Sequence, residues 1–455
     1  MKVHFIAIGG SAMHNLALAL HHKGHTVSGS DDEIFEPSRS RLEKAGLLPA
    51  QTGWNPENIT QDLDYVVLGM HAREDNPELL RAQQIGLPVY SYPEFLYEQS
   101  KDKSRVVIAG SHGKTTITAM ILHVLNFHGR DCDYMLGAQL EGFDTMVKLT
   151  DDNEFILLEG DEYLSSPIDR RPKFLHYRPN ICLISGIAWD HVNVFPTFQD
   201  YVNQFKALVE VIEQGGALVY NELDQELNQL VNESSHEIKK FPYGFPEFTI
   251  EDGIVSLLTE EGAVPLSVFG KHNMNNLEGA RWICNQMGIS DEEFYTAIPD
   301  FKGASRRLEL LGSTAQLRLY RDFAHAPSKV RATVQAVREN FPSHKLIACL
   351  ELHTFSSLNP QFLGEYSGSM AAADTACIYF NPAVVAHKKL PPLSAEQVRS
   401  EFNEPGLTVF ENNRELLAFL DAELEGDSAC ILLVMSSGSF DGIDWQSEFS
   451  KQLEG

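Results

Sequence analysis

Val106-Val107-Ile108-Ala109-Gly110-Ser111-His112-Gly113-Lys114-Thr115-Thr116 begins as an apolar run, breaks at glycines and restarts with helical spacing over Ile117 to Phe127. A strand that turns through glycines into a helix leaves unpaired backbone N–H groups at the helix start, where the positive end of the helix dipole favours anions. Gly110 and Gly113 let that backbone approach phosphate oxygens. Lys114 can reach terminal phosphates, and the Thr115 hydroxyl is suited to magnesium. The expected nucleotide set is therefore Gly110, Ser111, His112, Gly113, Lys114, Thr115 and Thr116, with ATP and Mg2+ as the ligands. The first glycine sits only three residues before the second, closer than in the common GxxxxGK[ST] loop. A tight turn carrying an incidental lysine is the competing reading. The order strand, glycines, Lys-Thr-Thr, helix favours the phosphate loop.

The same alternation of short apolar runs and helical patterns extends both ways. Before it lie Val3 to Ile8, a helix over Ser11 to His22, and strands at His25–Ser30, Tyr65–Met70 and Pro88–Tyr90. After it come Phe155–Leu158 and Ile181–Ser185, then Leu346–Leu350, Ala376–Phe380 and Cys430–Met435. Alternating strands and helices imply parallel sheets covered by helices. Polar stretches at Gln99–Ser104 and Phe301–Ser305 read as linkers. The expectation is an α/β protein of three domains: 1–102, Rossmann-like; 103–302, like a P-loop ATPase; and 303–455, Rossmann-like.

The 455 residues carry 36 Lys plus Arg against 63 Asp plus Glu, a formal charge of −27. That balance argues against a partner held by rows of phosphate contacts, so no nucleic acid is expected. No apolar run reaches the ~18–20 residues of a membrane span, and no signal peptide is expected, since the apolar run within Met1 to Gly10 is short and turns straight into glycines. Six scattered cysteines form no CxxC pair. A cytoplasmic setting, without disulfides or membrane attachment, is the expectation.

Magnesium needs more than one hydroxyl. Glu159-Gly160-Asp161-Glu162 follows a strand, and Asp190-His191 follows the next. Carboxylates at the carboxyl ends of parallel strands face the ligand crevice, so Thr115, Glu159 and His191 form the expected metal set. Near the N-terminus, Gly9 and Gly10 precede Ser11 and Met13 at a helix start, and Ser30-Asp31 ends the second strand about 20 residues on, as in dinucleotide folds. The GxGxxG pattern is not met, which weakens NAD and favours some other nucleoside diphosphate.

Gly110-Ser111-His112-Gly113-Lys114-Thr115-Thr116 is very similar to the loop of the Mur ligases, ATP-dependent ligases of peptidoglycan precursors. Glu159-Gly160-Asp161-Glu162 resembles their magnesium acid motif and Asp190-His191 their Asp-His motif. Gly270 to Asn276 resembles the HNxxN adenine segment, Arg306-Arg307 the arginines opening the third domain, and Asp322-Phe323-Ala324-His325-Ala326-Pro327 a third-domain segment. The resemblance spans nearly the whole chain. It implies that His272, Asn273, Asn276, Arg306, Asp322 and His325 belong with ATP, that Lys114, Glu159, His191 and Arg307 are catalytic, and that Gly9, Gly10, Ser11, Met13, Ser30, Asp31 and His71 hold a UDP-sugar.

Within the family, Ile8 to Met13 resembles the members that take UDP-N-acetylmuramate. Two kinds remain: those that add L-alanine and those that add the murein tripeptide L-Ala-γ-D-Glu-meso-diaminopimelate. Lys173–Pro179, Phe323-Ala324 and Val434–Ile443 resemble the second kind. Leu352-His353-Thr354-Phe355-Ser356-Ser357 stands where the first kind has Pro-His-Arg-Tyr-Thr-Arg. Ser185-Gly186 replaces a common Thr-Asn, and Lys206 is not expected to be the carbamylated lysine of some members. The resemblance thus implies UDP-N-acetylmuramate and a murein tripeptide as partners, and a monomer or weak homo-oligomer. The alternatives are the alanine-adding ligase, a nucleotide-sugar oxidoreductase, which leaves Lys114 without a task, and a non-catalytic relative.

Overall fold

The structure, a computed structural model, describes residues 1–455 except 141, 144, 191–193, 252–253, 305–306, 427–428 and 455. By packing, the chain forms two units. The first comprises 1–187, 199–244 and 279–294; the second comprises 188–198, 245–278 and 295–455.

The first unit holds two sheets. A four-stranded parallel sheet runs in the order Thr26–Ser30, Lys2–Ile6, Tyr65–Leu68, Val89–Ser91. A seven-stranded sheet has Ser104–Ala109 at its centre, between Ile181–Ile184 and Phe155–Glu159. Val106, Val107, Ile108 and Ala109 are all fully buried, because both faces of the sheet are covered. The helix Lys114–Phe127 contributes Ile117, Met120, Ile121 and Val124 to that core. Ile108 pairs with Glu159 and Ala109 with Ile184, so these strand ends reach one level.

In the second unit a six-stranded sheet runs in the order Glu309–Ser313, Leu317–Asp322, Cys430–Met435, Lys345–Glu351, Thr375–Tyr379, Thr408–Phe410. Its first strand is antiparallel and the rest are parallel. A separate antiparallel sheet joins Phe248–Glu251, Ile254–Thr259 and Gly262–Leu266. The sequence reading missed it, since its strands are half exposed and lack the apolar runs that marked the others. All six cysteines are buried and free.

The first expected linker is shorter than its polar residues suggest. The helix Tyr92–Ser100 opens with a capping box between Ser91 and Glu94 and runs into that stretch. The next strand starts at Ser104, so only Lys101 to Lys103 connect them. Arg105, 4% exposed, fastens the join: its guanidinium donates to the carbonyls of Ser100, Lys101, Lys103, Tyr177 and Arg178. Replacing Arg105 with Met strands these buried acceptors. It is expected to cost on the order of 3 kcal/mol, seen as an earlier thermal unfolding transition, whereas the exposed Arg171→Ala change leaves unfolding within about 0.5 kcal/mol of wild type.

Candidate functional site

Gly110 has φ +118°, and a Cβ there would lie 2.2 Å from Ser185 Oγ and 2.8 Å from Ser185 N. Glycine is therefore demanded twice, by backbone conformation and by space. The loop is buttressed from the Ser185-Gly186 pair. Ser111 N donates to Gly186 O at 3.0 Å, and the Ser185 hydroxyl donates to His112 O. Gly113, at φ +77°, precedes the helix with no side-chain cap, so its first amides stay open to a ligand.

Lys114 Nζ donates to Gly110 O at 2.6 Å and to Glu162 Oε2 at 2.7 Å. The other oxygen of buried Glu162 accepts from Tyr201 Oη at 3.0 Å, and Tyr201 Oη lies 2.8 Å from Ser111 Oγ. Burial works against the charge on Lys114, yet the neighbouring Glu162 and Asp161 carboxylates raise its pKa, so it remains an ammonium. Thr115 Oγ1 donates to Glu159 Oε1 at 2.7 Å, and Gly137 N donates to Glu159 Oε2 at 2.8 Å. A hydroxyl and a carboxylate held together are hard oxygen donors of the kind magnesium takes, so these residues fit that ion. Asp161 pairs instead with Lys173 at 2.6 Å. Lys114, Thr115 and Glu159 are thus brought together as expected, with Ser111 and Thr116 buried beside them. Glu162 lay within the quoted acid motif but was given no role, and Tyr201 was missed. An isolated Tyr on an amphipathic helix carries no signal of its own. His191 lies outside the described residues. Lys206 is exposed on the helix Phe198–Glu210 that buries Tyr201.

At the N-terminal sheet, Gly9 N donates to Asp31 Oδ2 at 2.7 Å and Asp32 N to Asp31 Oδ1 at 3.0 Å. Asp31 thus clamps the glycine turn with both oxygens, and a Cβ on Gly9 would sit 2.9 Å from it. Burial pushes the Asp31 carboxyl up to about 6. Ser30, 2% exposed, gives its hydroxyl to Glu78, which also accepts from Asn55 N and Asn58 Nδ2. Met13 is buried in the core, while Ser11 and His71 are exposed beyond the strand ends. Gly10 precedes the helix Ser11–His22, which also lacks a side-chain cap. A cavity of about 620 Å³ adjoins this end, lined by His4, Gly29, Ser30, Thr52, Trp54 and Asn58 among others.

In the second unit, Asp322 accepts from Leu308 N and Ala324 N, both at 2.6 Å. Leu308 has φ +48°, a left-handed conformation costly for a branched residue, and Asp322 holds it. The neighbouring Arg307 guanidinium lies 4.4 Å from the Phe323 ring centre. His325 Nδ1 is 2.8 Å from Phe323 O. Burial, with Lys329 adding to it, pushes His325 down to about 4, so its ring is neutral and donates through Nδ1 to that carbonyl. Lys329 pairs with Asp190 at 3.5 Å. Arg307, Asp322 and His325 are therefore brought together; Phe323 and Lys329 join them unpredicted. Asn273 Nδ2 donates to Phe269 O at 2.8 Å, Asn276 is buried, and burial lowers the pKa of His272. Arg306 lies outside the described residues.

Comparison with known proteins shows the family. Three family models match in order: the Mur ligase family catalytic domain over 2–104, the Mur ligase middle domain over 108–283, and the Mur ligase glutamate ligase domain over 306–438. The chain belongs to the Mur ligase family. It has the three-domain α/β architecture of these enzymes and is an ATP-dependent ligase that forms amide bonds. UDP-N-acetylmuramate–L-alanine ligase of Persephonella marina is 30% identical to this Mur ligase over 100% of the chain and 98% of the relative. UDP-N-acetylmuramate–L-alanyl-γ-D-glutamyl-meso-2,6-diaminoheptandioate ligase of Escherichia coli K12 is 28% identical over 97% and 96%. Murein peptide ligase of Psychrobacter arcticus 273-4 shares the fold with a TM-score of 0.65 at 23% identity, over 99% of this chain and 98% of that one. No helix among the described residues is long and apolar enough to cross a membrane.

Two outcomes are expected of this Mur ligase. Gly110→Ala should abolish detectable MgATP binding in titration calorimetry and lower the thermal transition, because the Cβ meets Ser185 and the backbone cannot relax. The raised pKa of Asp31 means its protonated form is favoured on folding. That contribution is full below 3.8 and is lost as pH rises through about 6. Wild-type Tm should therefore fall as pH rises through this window; Asp31→Asn should flatten that pH dependence at a lower Tm, because its amide nitrogen meets a backbone N–H that a carboxylate oxygen accepts.

Proposed function

We propose that this ligase joins L-Ala-γ-D-Glu-meso-diaminopimelate to UDP-N-acetylmuramate, a recycling reaction in the cytoplasm. One observation carries the chemistry: the Lys114 ammonium sits at the open helix start beside the Thr115–Glu159 pair. In this reading a lactyl carboxylate oxygen attacks the γ-phosphorus of ATP and ADP leaves. The acceptor's amine then attacks the acyl phosphate carbon, and inorganic phosphate leaves with the former carboxylate oxygen. Lys114 balances charge on the transferring phosphoryl group, and Arg307 adds a second cation. Thr115 and Glu159, with His191, would hold magnesium, which supplies charge neutralisation between nucleotide and carboxylate. His325 stays neutral and offers Nε2 as an acceptor. His272, Asn273 and Asn276 lie with adenine; Arg306 contacts phosphate, and Asp322 positions Arg307 through Leu308. Gly9, Gly10 and Ser11 take the diphosphate of the UDP-sugar, with Asp31 holding their turn, His71 at its rim and uridine in the adjoining 620 Å³ cavity. The domain limits follow as 1–102, 103–302 and 303–455.

The tripeptide acceptor is supported by Leu352 to Ser357 and Val434 to Ile443, and by the full-length similarity to the Escherichia coli enzyme. The second reading, L-alanine as acceptor, is favoured by the names of relatives such as the Persephonella marina ligase. Phosphate release from MgATP and UDP-N-acetylmuramate decides between them. Turnover with tripeptide and at least tenfold less kcat/KM with L-alanine is the expected result; the reverse order replaces this proposal with the second. In the same assay Lys114→Ala is expected to lower kcat by roughly 10²–10³-fold.

A further inference from the structure

Strands Lys345–Glu351 and Thr375–Tyr379 are parallel neighbours, and α/β folds bind ligands outside the carboxyl ends of such strands. The loop leaving the first strand is built rigidly. Thr354 and Ser357 exchange hydrogen bonds: Thr354 N to Ser357 Oγ at 3.0 Å, and Ser357 N to Thr354 Oγ1 at 3.0 Å. Leu358 N closes the turn on Thr354 O at 3.1 Å. Upstream, buried Glu351 accepts from Phe440 N at 2.9 Å and from the Ser436 hydroxyl. It also faces His353 Nδ1 at 3.6 Å.

On this turn Phe355 is 47% exposed, a large ring presented to solvent by an ordered backbone. Lys388, which ends the helix Pro382–His387 following the second strand, places Nζ 4.6 Å from the centre of that ring. Lys389 follows in the left-handed region at φ +56°. Lys271, Lys329 and Lys345 of this unit pair with Glu339, Asp190 and Glu423, while Lys302, Lys389 and Lys451 show no ion pair among the described residues and, unlike Lys388, lie over no aromatic ring there. Lys388 has no carboxylate partner among the described residues, in a chain of net charge −27. A ring beneath one face of an ammonium steadies it and leaves its other faces for an anion.

We infer that Lys388, steadied on Phe355, is a specificity-determining residue that receives a carboxylate carried by the acceptor beyond its N-terminal alanine. This rests on the tripeptide reading and adds how the acceptor is told apart. The tripeptide carries such carboxylates on D-Glu and diaminopimelate, whereas free L-alanine carries none beyond its own. A partly exposed ammonium–carboxylate pair contributes to binding and not to the chemical step, so its loss should appear in KM.

The test is steady-state kinetics of the full chain with saturating MgATP and UDP-N-acetylmuramate, varying the tripeptide. Lys388→Met keeps the apolar stem over Phe355 and removes the charge. It is expected to raise KM for the tripeptide by ~3–5-fold with kcat within about twofold, and Lys388→Arg is expected to restore KM. A tripeptide with both diaminopimelate carboxylates and the D-Glu α-carboxylate amidated should show the raised KM in wild type and no further rise in Lys388→Met. An unchanged KM in Lys388→Met, with robust wild-type turnover of tripeptide, overturns this inference and leaves the acceptor reading standing. Wild-type turnover of L-alanine alone overturns both.

Discussion

A lysine ammonium placed among acids at a helix start is the constraint on which the rest of the first unit turns. Lys114 is held between Gly110 O and the buried carboxylate of Glu162. Burial alone would disfavour its charge, and an unpaired buried ammonium is costly. Glu162 offsets that cost, and Tyr201 and Ser111 fix Glu162 in turn. The turn that carries the lysine exists only because Gly110 leaves room for Ser185. The central strand, the helix after it and the two flanking strand ends are thus coupled to one cation.

The same economy recurs elsewhere. Asp31 and Asp322 look on paper like ligands for ribose hydroxyls, yet each turns both oxygens on backbone amides and holds a turn. Glu78 collects donors from Ser30, Asn55 and Asn58 beneath the N-terminal glycines. In a chain of net charge −27 many carboxylates serve architecture, and the few lysines and arginines near strand ends are where anionic substrates can be met.

Much of this was legible beforehand. Buried parallel strands are continuous apolar runs, so the central strand, the Cys430–Met435 strand and the helix Ser11–His22 stood out. The phosphate loop was legible because strand, glycines and Lys-Thr-Thr have an order that chance rarely supplies. The half-exposed antiparallel strands between 248 and 266 were not, since their patterns are short and mixed. The linker at Gln99–Ser104 was misjudged because polar residues were read without the Ser91–Glu94 capping box. Tyr201 and Glu162 stayed hidden because their significance lies in a meeting across 39 residues that no local pattern announces.

The account's central claim is that the carboxylate of UDP-N-acetylmuramate is activated by phosphorylation at this loop. Turnover of UDP-N-acetylmuramate bearing ¹⁸O in its lactyl carboxylate, with the released phosphate read by mass spectrometry, tests it directly. One ¹⁸O atom in each phosphate formed is the predicted result. Phosphate free of label, or label in AMP, would contradict it.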